Sequence, residues 1–201
     1  MLLPVHAEHP EPRKIARAVE LLEKGGLVAY PTDSVYGIGC DMASKAGIER
    51  LYEARGLPVG KPLALLCPDL SDIAKYAVVE NPQYRVLKRY LPGPYVFILP
   101  ATREVPKLLL TKQKTVGIRV PSHPVTHALV RALGRPVLNT TAVEPESGEG
   151  ILDPWTVETT YPSVDLVIDA ETSSTLPTTV IDLSQGDMII VREGAGPILD
   201  D

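Results

Sequence analysis

The segment from Gly25 to Asp41, GGLVAYPTDSVYGIGCD, restricts the fold of this chain more than any other stretch. Gly25 and Gly26 close a helical pattern, residues 27–30 form a short apolar strand, and Pro31, which cannot donate to a ladder, stops it. Thr32, Asp33, Ser34 and Tyr36 follow, so a buried strand delivers hydroxyls and a carboxylate to the end of a sheet. In open α/β sheets ligands bind at such ends. Gly37 and Gly39 leave the backbone free to bend or to approach a ligand. An ordinary turn fits the same letters, so both readings stand at this point.

The remaining patterns surround that stretch with helices and strands. Residues 12–24 carry Ile15, Ala18, Val19 and Leu22 at helical spacing. Ser44 caps a second helix, with Ile48, Leu51 and Tyr52 as its buried stripe, which runs into Arg55. Residues 56–60 make a loop, and Lys61 and Pro62 lead into an apolar strand at 63–67. Short helices are expected at 71–76 and 82–90, then a break at Pro92-Gly93-Pro94 and a strand at 95–99. Ser122 caps a helix that ends at Gly134, and PVLNTTA at 136–142 is a strand ending in Asn139, Thr140 and Thr141. A polar loop at 143–153 precedes a helix started by Asp153-Pro154. Strands at 164–168 and 178–183 follow, with a hairpin turn at 184–187 into 188–191 and Arg192 at its end. Hairpins and helical crossovers together predict an α/β fold, a single-domain twisted mixed sheet with flanking helices over residues 1–201.

Residues 115–120, TVGIRV, make the most informative later strand. Strand side chains alternate, so Val116, Ile118 and Val120 face one side while Thr115, Gly117 and Arg119 face the other. A hydroxyl and a guanidinium then flank a position without a side chain, where a ligand can lie against the backbone. A half-buried strand with a solvent-facing arginine is the alternative.

The net charge of −5 argues against a surface that is basic throughout but leaves room for a concave basic cleft. Cys40 and Cys67 lack CxxC or metal-ligand spacing and read as core residues in a reducing compartment, and no metal site is expected. No run approaches the roughly 18 apolar residues of a membrane span, so a cytoplasmic location is expected. Neither a Walker-type nor a GxGxxG phosphate loop is present, nor any set of residues for covalent catalysis.

The ordered phrases YPTDSVYGIGCD, LYEARGLPVGKPLALL, TVGIRVPSHP, PTTVIDL and VREG, spread over residues 10–196, resemble the YrdC/YciO family. Its best-known members are threonylcarbamoyl-AMP synthases that serve tRNA modification. The resemblance implies a YrdC-like domain that combines L-threonine, bicarbonate and ATP, with magnesium carried by the triphosphate, into threonylcarbamoyl-AMP and pyrophosphate. Carried over by position, Thr32, Arg119, Thr141 and Thr178 contact threonine, Arg119 forks onto its carboxylate, and Tyr36 closes over the substrate. Lys61, Thr115 and Arg192 contact the nucleotide, Asn139 adds an amide, and Arg55 with Lys61 supplies the cations nearest the reaction.

Within the family the chain is closer to the YciO branch. Synthases of the YrdC branch carry Lys-x-Arg-Pro where this chain has Arg55-Gly56-Leu57-Pro58, and Ser-x-Asn where it has Thr141-Ala142-Val143. Each lost charge-assisted contact costs on the order of 1.5–3 kcal/mol, enough to slow turnover without abolishing binding. A YciO-type protein that binds nucleotide or double-stranded RNA, or tRNA, without synthase activity is therefore the alternative, and a carbamoyl-transfer module is a third.

Overall fold

The computed structural model describes residues 1–171 and 174–199. Pro31 does end the first buried strand, but the chain then doubles back rather than opening to solvent. β2 (Val28–Tyr30) pairs antiparallel with β3 (Gly37–Asp41), and the whole of 25–42 is buried. The two glycines serve this packing. A Cβ on Gly37 would lie 2.5 Å from Asn139 Oδ1, and one on Gly39 would lie 2.4 Å from the Tyr30 hydroxyl. They make room for Tyr30 and Asn139, and the expectation that they admit a ligand is corrected.

The other strands are β1 (Leu2–Pro4), β4 (Ala64–Leu66), β5 (Tyr95–Pro100), β6 (Thr115–Arg119), β7 (Val137–Thr141), β8 (Leu166–Asp169), β9 (Thr179–Asp182) and β10 (Ile189–Arg192). Together they form one mixed sheet in the order β1-β8-β2-β3-β7-β4-β6-β5-β9-β10. β1 is too short to show a period in the sequence, and it forms by pairing in parallel with β8. Among the described residues six α-helices cover the sheet: α1 (Pro12–Glu23), α2 (Lys45–Ala54), α3 (Leu70–Tyr76), α4 (Asn81–Tyr90), α5 (Pro124–Leu133) and α6 (Pro154–Thr160). None of the described helices is long and apolar enough to cross a membrane.

Capping follows the sequence at α2, where Ser44 Oγ accepts from Gly47 N at 3.0 Å, and at α6, where Asp153 accepts from Trp155 and Thr156. At α5 it differs. His123 takes the cap position, accepting from Val125 N, because the Ser122 amide and hydroxyl are both spent on Asp33, each at 2.8 Å.

Register explains where the sheet is bare. Val28, Gly39, Asn139, Ala64, Gly117, Ile98 and Asp182 stand opposite one another in a single row, so they share one face. Over one part of that face α1 and α5 pack Ile15, Leu22, Leu129 and Val130 onto Val28, Leu66, Val137 and Leu166. Their cover stops there, leaving Ala64, Gly117, Ile98 and Asp182 without a helix above them. The other face shows no such gap. Cys40, Leu138, Leu65, Ile118, Phe97 and Ile181 form the next row, packed beneath Ile48 of α2, Ile73 of α3, Leu87 of α4 and Val157 of α6. Burying each large apolar side chain contributes about 1.5–3 kcal/mol, so this doubly ordered row anchors the floor of whatever lies above it.

Candidate functional site

The bare part of the face holds a cleft of about 350 Å³. Its floor is the row of Asn139, Ala64, Gly117 and Ile98, and Gly117 keeps that floor low, because a Cβ there would stand 3.1 Å from Val96. Around the floor stand Thr115, Arg119, Thr141, Thr178 and Arg192, with Asp182 as the carboxylate among the lining residues. Thr141 and Arg192 also line a second chamber of about 510 Å³, walled by Val35, Val143, Leu152 and Pro177. Four strands, β4, β6, β5 and β9, stand between those two residues in the sheet order. The sheet must therefore curl to bring them to one cavity.

Arg119 forms the inner end, where the cover of α5 begins. Its side chain is 3 % exposed and forms an ion pair with Asp33, whose carboxylate is held in turn by the amide and hydroxyl of Ser122. Burial pushes the guanidinium down to about 10, which leaves it charged at neutral pH. Its Nε has no hydrogen-bond partner among the described residues. A buried donor of that kind is costly to leave unpaired.

Arg192 forms the far wall. Its Nε and Nη2 donate to the Thr178 carbonyl at 3.0 and 2.8 Å, and Nη2 lies 3.0 Å from the Thr178 hydroxyl. Burial lowers this guanidinium as well. Asn139 accepts from the Tyr30 hydroxyl through Oδ1 at 2.8 Å, which leaves its NH2 for the cleft. The Thr115 hydroxyl is 2.7 Å from that of Thr111.

Four of the sequence-predicted residues lie elsewhere. Thr32 is 1 % exposed, and its hydroxyl is engaged by Val35 O, Ser34 N and Ser34 Oγ, so it braces the turn behind Arg119 and does not line the cleft. Tyr36 is fully buried in the core, its hydroxyl 2.8 Å from the Ala170 carbonyl and 3.0 Å from that of Ile168. Closure of Tyr36 over a substrate is thus corrected, since its hydroxyl is already used to tie β3 to the end of β8. Arg55 turns to Tyr161: Nη1 donates to the Tyr161 hydroxyl at 2.7 Å, and the guanidinium carbon lies 5.6 Å from the ring centroid. That hydroxyl also donates to Val143 O at 2.6 Å, so Arg55 supports the loop of the second chamber and lies outside the lining of the cleft. Lys61 is exposed, directly before the lining residue Pro62.

Asp33 in its role as counter-ion to Arg119, and Asp182 on the floor row, were not singled out by the sequence reading. The run PTD marks Asp33 as a turn residue, and nothing local says that it points inward. Among the described residues no cluster of three His, Cys, Asp or Glu side chains is placed to hold a metal ion.

Comparison with known proteins fits this architecture. The E. coli protein YciO, described as uncharacterized, is 43 % identical over 196 residues, covering 96 % of this chain and 95 % of that protein. Its crystal structure superposes with a TM-score of 0.93 over 98 % of this chain and 97 % of that one. A threonylcarbamoyl-AMP synthase of Xanthomonas axonopodis pv. citri is 33 % identical over 181 residues, 86 % of this chain and 95 % of the enzyme. The crystal structure of Pyrococcus abyssi Sua5 complexed with L-threonine has a TM-score of 0.89 and 28 % identity, and this chain covers 57 % of it while 96 % of this chain is matched. Residues 20–194 match the family profile Sua5/yciO/yrdC, described as telomere recombination. With most of its length matched and the same sheet in its relatives, the chain belongs to the Sua5/YciO/YrdC family.

Proposed function

We propose that the protein is a threonylcarbamoyl-AMP synthase-like nucleotidyltransferase, acting on L-threonine, bicarbonate and ATP in a route to threonylcarbamoyladenosine in tRNA. The observation that carries this reading is the buried Arg119, charged, fixed by Asp33 and with Nε unpartnered, at the closed end of a cleft lined with threonine hydroxyls. The 33 % identical synthase and the threonine complex of a structural relative support it.

In this reading threonine lies with its carboxylate on Arg119 and its amine toward the floor. The amine and bicarbonate form a carbamate with loss of water. A carbamate oxygen then attacks the α-phosphorus, a new oxygen–phosphorus bond forms, and the bond to the β-phosphate breaks to release pyrophosphate. Such a transfer needs reactants held in line and charge neutralised, with no covalent help from the protein. Arg192 faces the phosphates from the far wall, and the Asn139 amide donates from the floor. Magnesium arrives on the triphosphate, held chiefly by phosphate oxygens. The deciding experiment is pyrophosphate release from ATP and bicarbonate with and without threonine. Release that requires threonine and falls in Arg119→Ala supports the reading, and release no greater than in that variant rejects it.

A second reading, a YciO-type protein that binds nucleotide or RNA without making the adenylate, is favoured by one observation. Arg55 is tied to Tyr161, and Leu57 packs against the core, so neither supplies a cation to the cleft. Nucleotide binding without threonine-dependent pyrophosphate release would select it.

A further inference from the structure

The far wall of the cleft is fastened from the opposite face of the sheet. β5 and β9 run parallel, with Tyr95 opposite Thr179. Val96, Ile98, Val180 and Asp182 line the cleft, so strand alternation points Tyr95 and Thr179 away from it, and both are buried. Thr178, one residue earlier, lines the cleft together with Arg192. Neither Tyr95 nor Thr179 is among the lining residues.

Residues 194–199, GAGPIL, join the two faces. Directly after Arg192 and Glu193 the chain passes over the start of β9. Gly194 N donates to Thr179 Oγ1 at 2.9 Å, Ala195 N to the Pro177 carbonyl at 2.7 Å, and Thr179 Oγ1 in turn to Gly196 O at 2.5 Å. The Tyr95 hydroxyl then donates to the Pro197 carbonyl at 2.8 Å, and the Tyr90 hydroxyl accepts from Leu199 N at 3.2 Å. The strap lies too close for side chains at two points: a Cβ on Gly194 would overlap the Pro177 carbonyl oxygen, and one on Gly196 the Tyr95 ring. That ring is itself fixed, its centroid 5.0 Å from that of Tyr90 and 6.2 Å from that of Phe97.

Arg192 needs such a hold. Its strand stands at the edge of the sheet and is exposed at all four residues, so burial does not orient it. Among the described residues its guanidinium donates to Thr178 alone, through the carbonyl and the hydroxyl, and it joins no ion pair. Those acceptors are neutral, so they orient the cation without cancelling its charge. Thr178 lies between Pro177 and Thr179, the two residues that the strap binds, so the strap fixes the carbonyl on which Arg192 rests. A functional side chain keeps its geometry when the groups that support it are themselves locked by packing and hydrogen bonds.

We propose that Tyr95 and Thr179 are positioning residues: acting through the strap at 194–197, they fix Thr178 and Arg192 and so set the far wall of the cleft from the face behind it. The assignment deepens the synthase-like reading and rests on it only for ATP as the ligand on that wall. Its test uses Tyr95→Phe, Thr179→Val and the conservative Thr179→Ser, with thermal melts to confirm folding. The first measurement needs no ligand: the rates at which phenylglyoxal modifies Arg192 and Arg119, read by mass spectrometry of their peptides. Arg192 should react about two- to tenfold faster in Tyr95→Phe and Thr179→Val, the equivalent of one neutral hydrogen bond, with Arg119 unchanged and Thr179→Ser at the wild-type rate. The second is calorimetric titration of ATP and L-threonine. ATP should bind Tyr95→Phe and Thr179→Val more weakly by a similar factor, L-threonine should bind them as it binds the wild type, and neither change should weaken ATP further once Arg192→Ala is present. An unchanged Arg192 rate overturns the positioning role, as does ATP that binds wild type and variants alike. So does an equal rise at Arg119 or an equal loss for L-threonine, which would mean general loosening, and so does a loss of ATP affinity that adds to that of Arg192→Ala. If Arg192 alone becomes more reactive while ATP does not bind the wild type, the strap stands and the nucleotide reading fails.

Discussion

Arg119 and Asp33 form an ion pair at the inner end of the cleft, with their side chains only 3 % and 6 % exposed. Removing one member of such a pair leaves the other buried and uncompensated, which costs about 3–5 kcal/mol. Asp33→Asn should therefore lower the urea midpoint of unfolding sharply, and Asp33→Asn/Arg119→Met should recover part of the loss. A midpoint unchanged by Asp33→Asn would show that the pair does not hold the inner end.

Arg119→Lys keeps a charge but loses the planar fork. Threonine affinity, measured by calorimetry, should fall roughly tenfold to a hundredfold, corresponding to one charge-assisted contact. Equal affinity in the two proteins would remove Arg119 from the carboxylate site.

The Tyr161 hydroxyl holds both Arg55 and Val143. Tyr161→Phe should cost about 1–2 kcal/mol of stability, and its effect should not add to that of Arg55→Ala. ATP affinity should be unchanged in either variant. A selective loss of ATP binding in Arg55→Ala would restore the phosphate-facing role that its motif position suggests.

Lys114→Gly removes the side chain and relieves its left-handed backbone, at φ +57°. Stability should rise by about 1 kcal/mol, a gain of about 2–4 °C in Tm for a chain of this size. A lower Tm would mean that the turn is not strained.

His123 caps α5 through Nδ1, and its Nε2 lies 2.8 Å from the Glu171 carbonyl, so the neutral ring with its proton on Nε2 fits the site. Burial lowers its pKa below the ordinary value. As pH falls through about 6.5, the unfolded chain takes up a proton that the folded one resists, so stability drops on the acid side. His123→Asn, which keeps a capping acceptor, should flatten the stability slope between about pH 7 and 5. An unchanged slope would place the titration elsewhere.

The sequence disclosed what depends on local period and end signals. Thr115, Gly117 and Arg119 face the cleft and Val116 and Ile118 the core, because a half-buried strand alternates regardless of its partners. Helix starts at Ser44 and Asp153 were legible for the same reason. What stayed hidden depends on partners far along the chain. Arg55 meets Tyr161, 106 residues on, and the Tyr36 hydroxyl meets carbonyls more than 130 residues on. The Ser122 cap was lost to Asp33, 89 residues away. Motif order marks these positions but not the direction in which each side chain turns.

Among the described residues β10 pairs only with β9, and Ile189, Ile190 and Val191 are 51, 40 and 57 % exposed. The strand that carries Arg192 thus adds almost nothing to the interior, while it supplies that guanidinium to the far wall of the cavity. Scaffold and wall are separable assets. Changes in this ribbon can retune what the hollow accepts while the rest of the molecule keeps its shape.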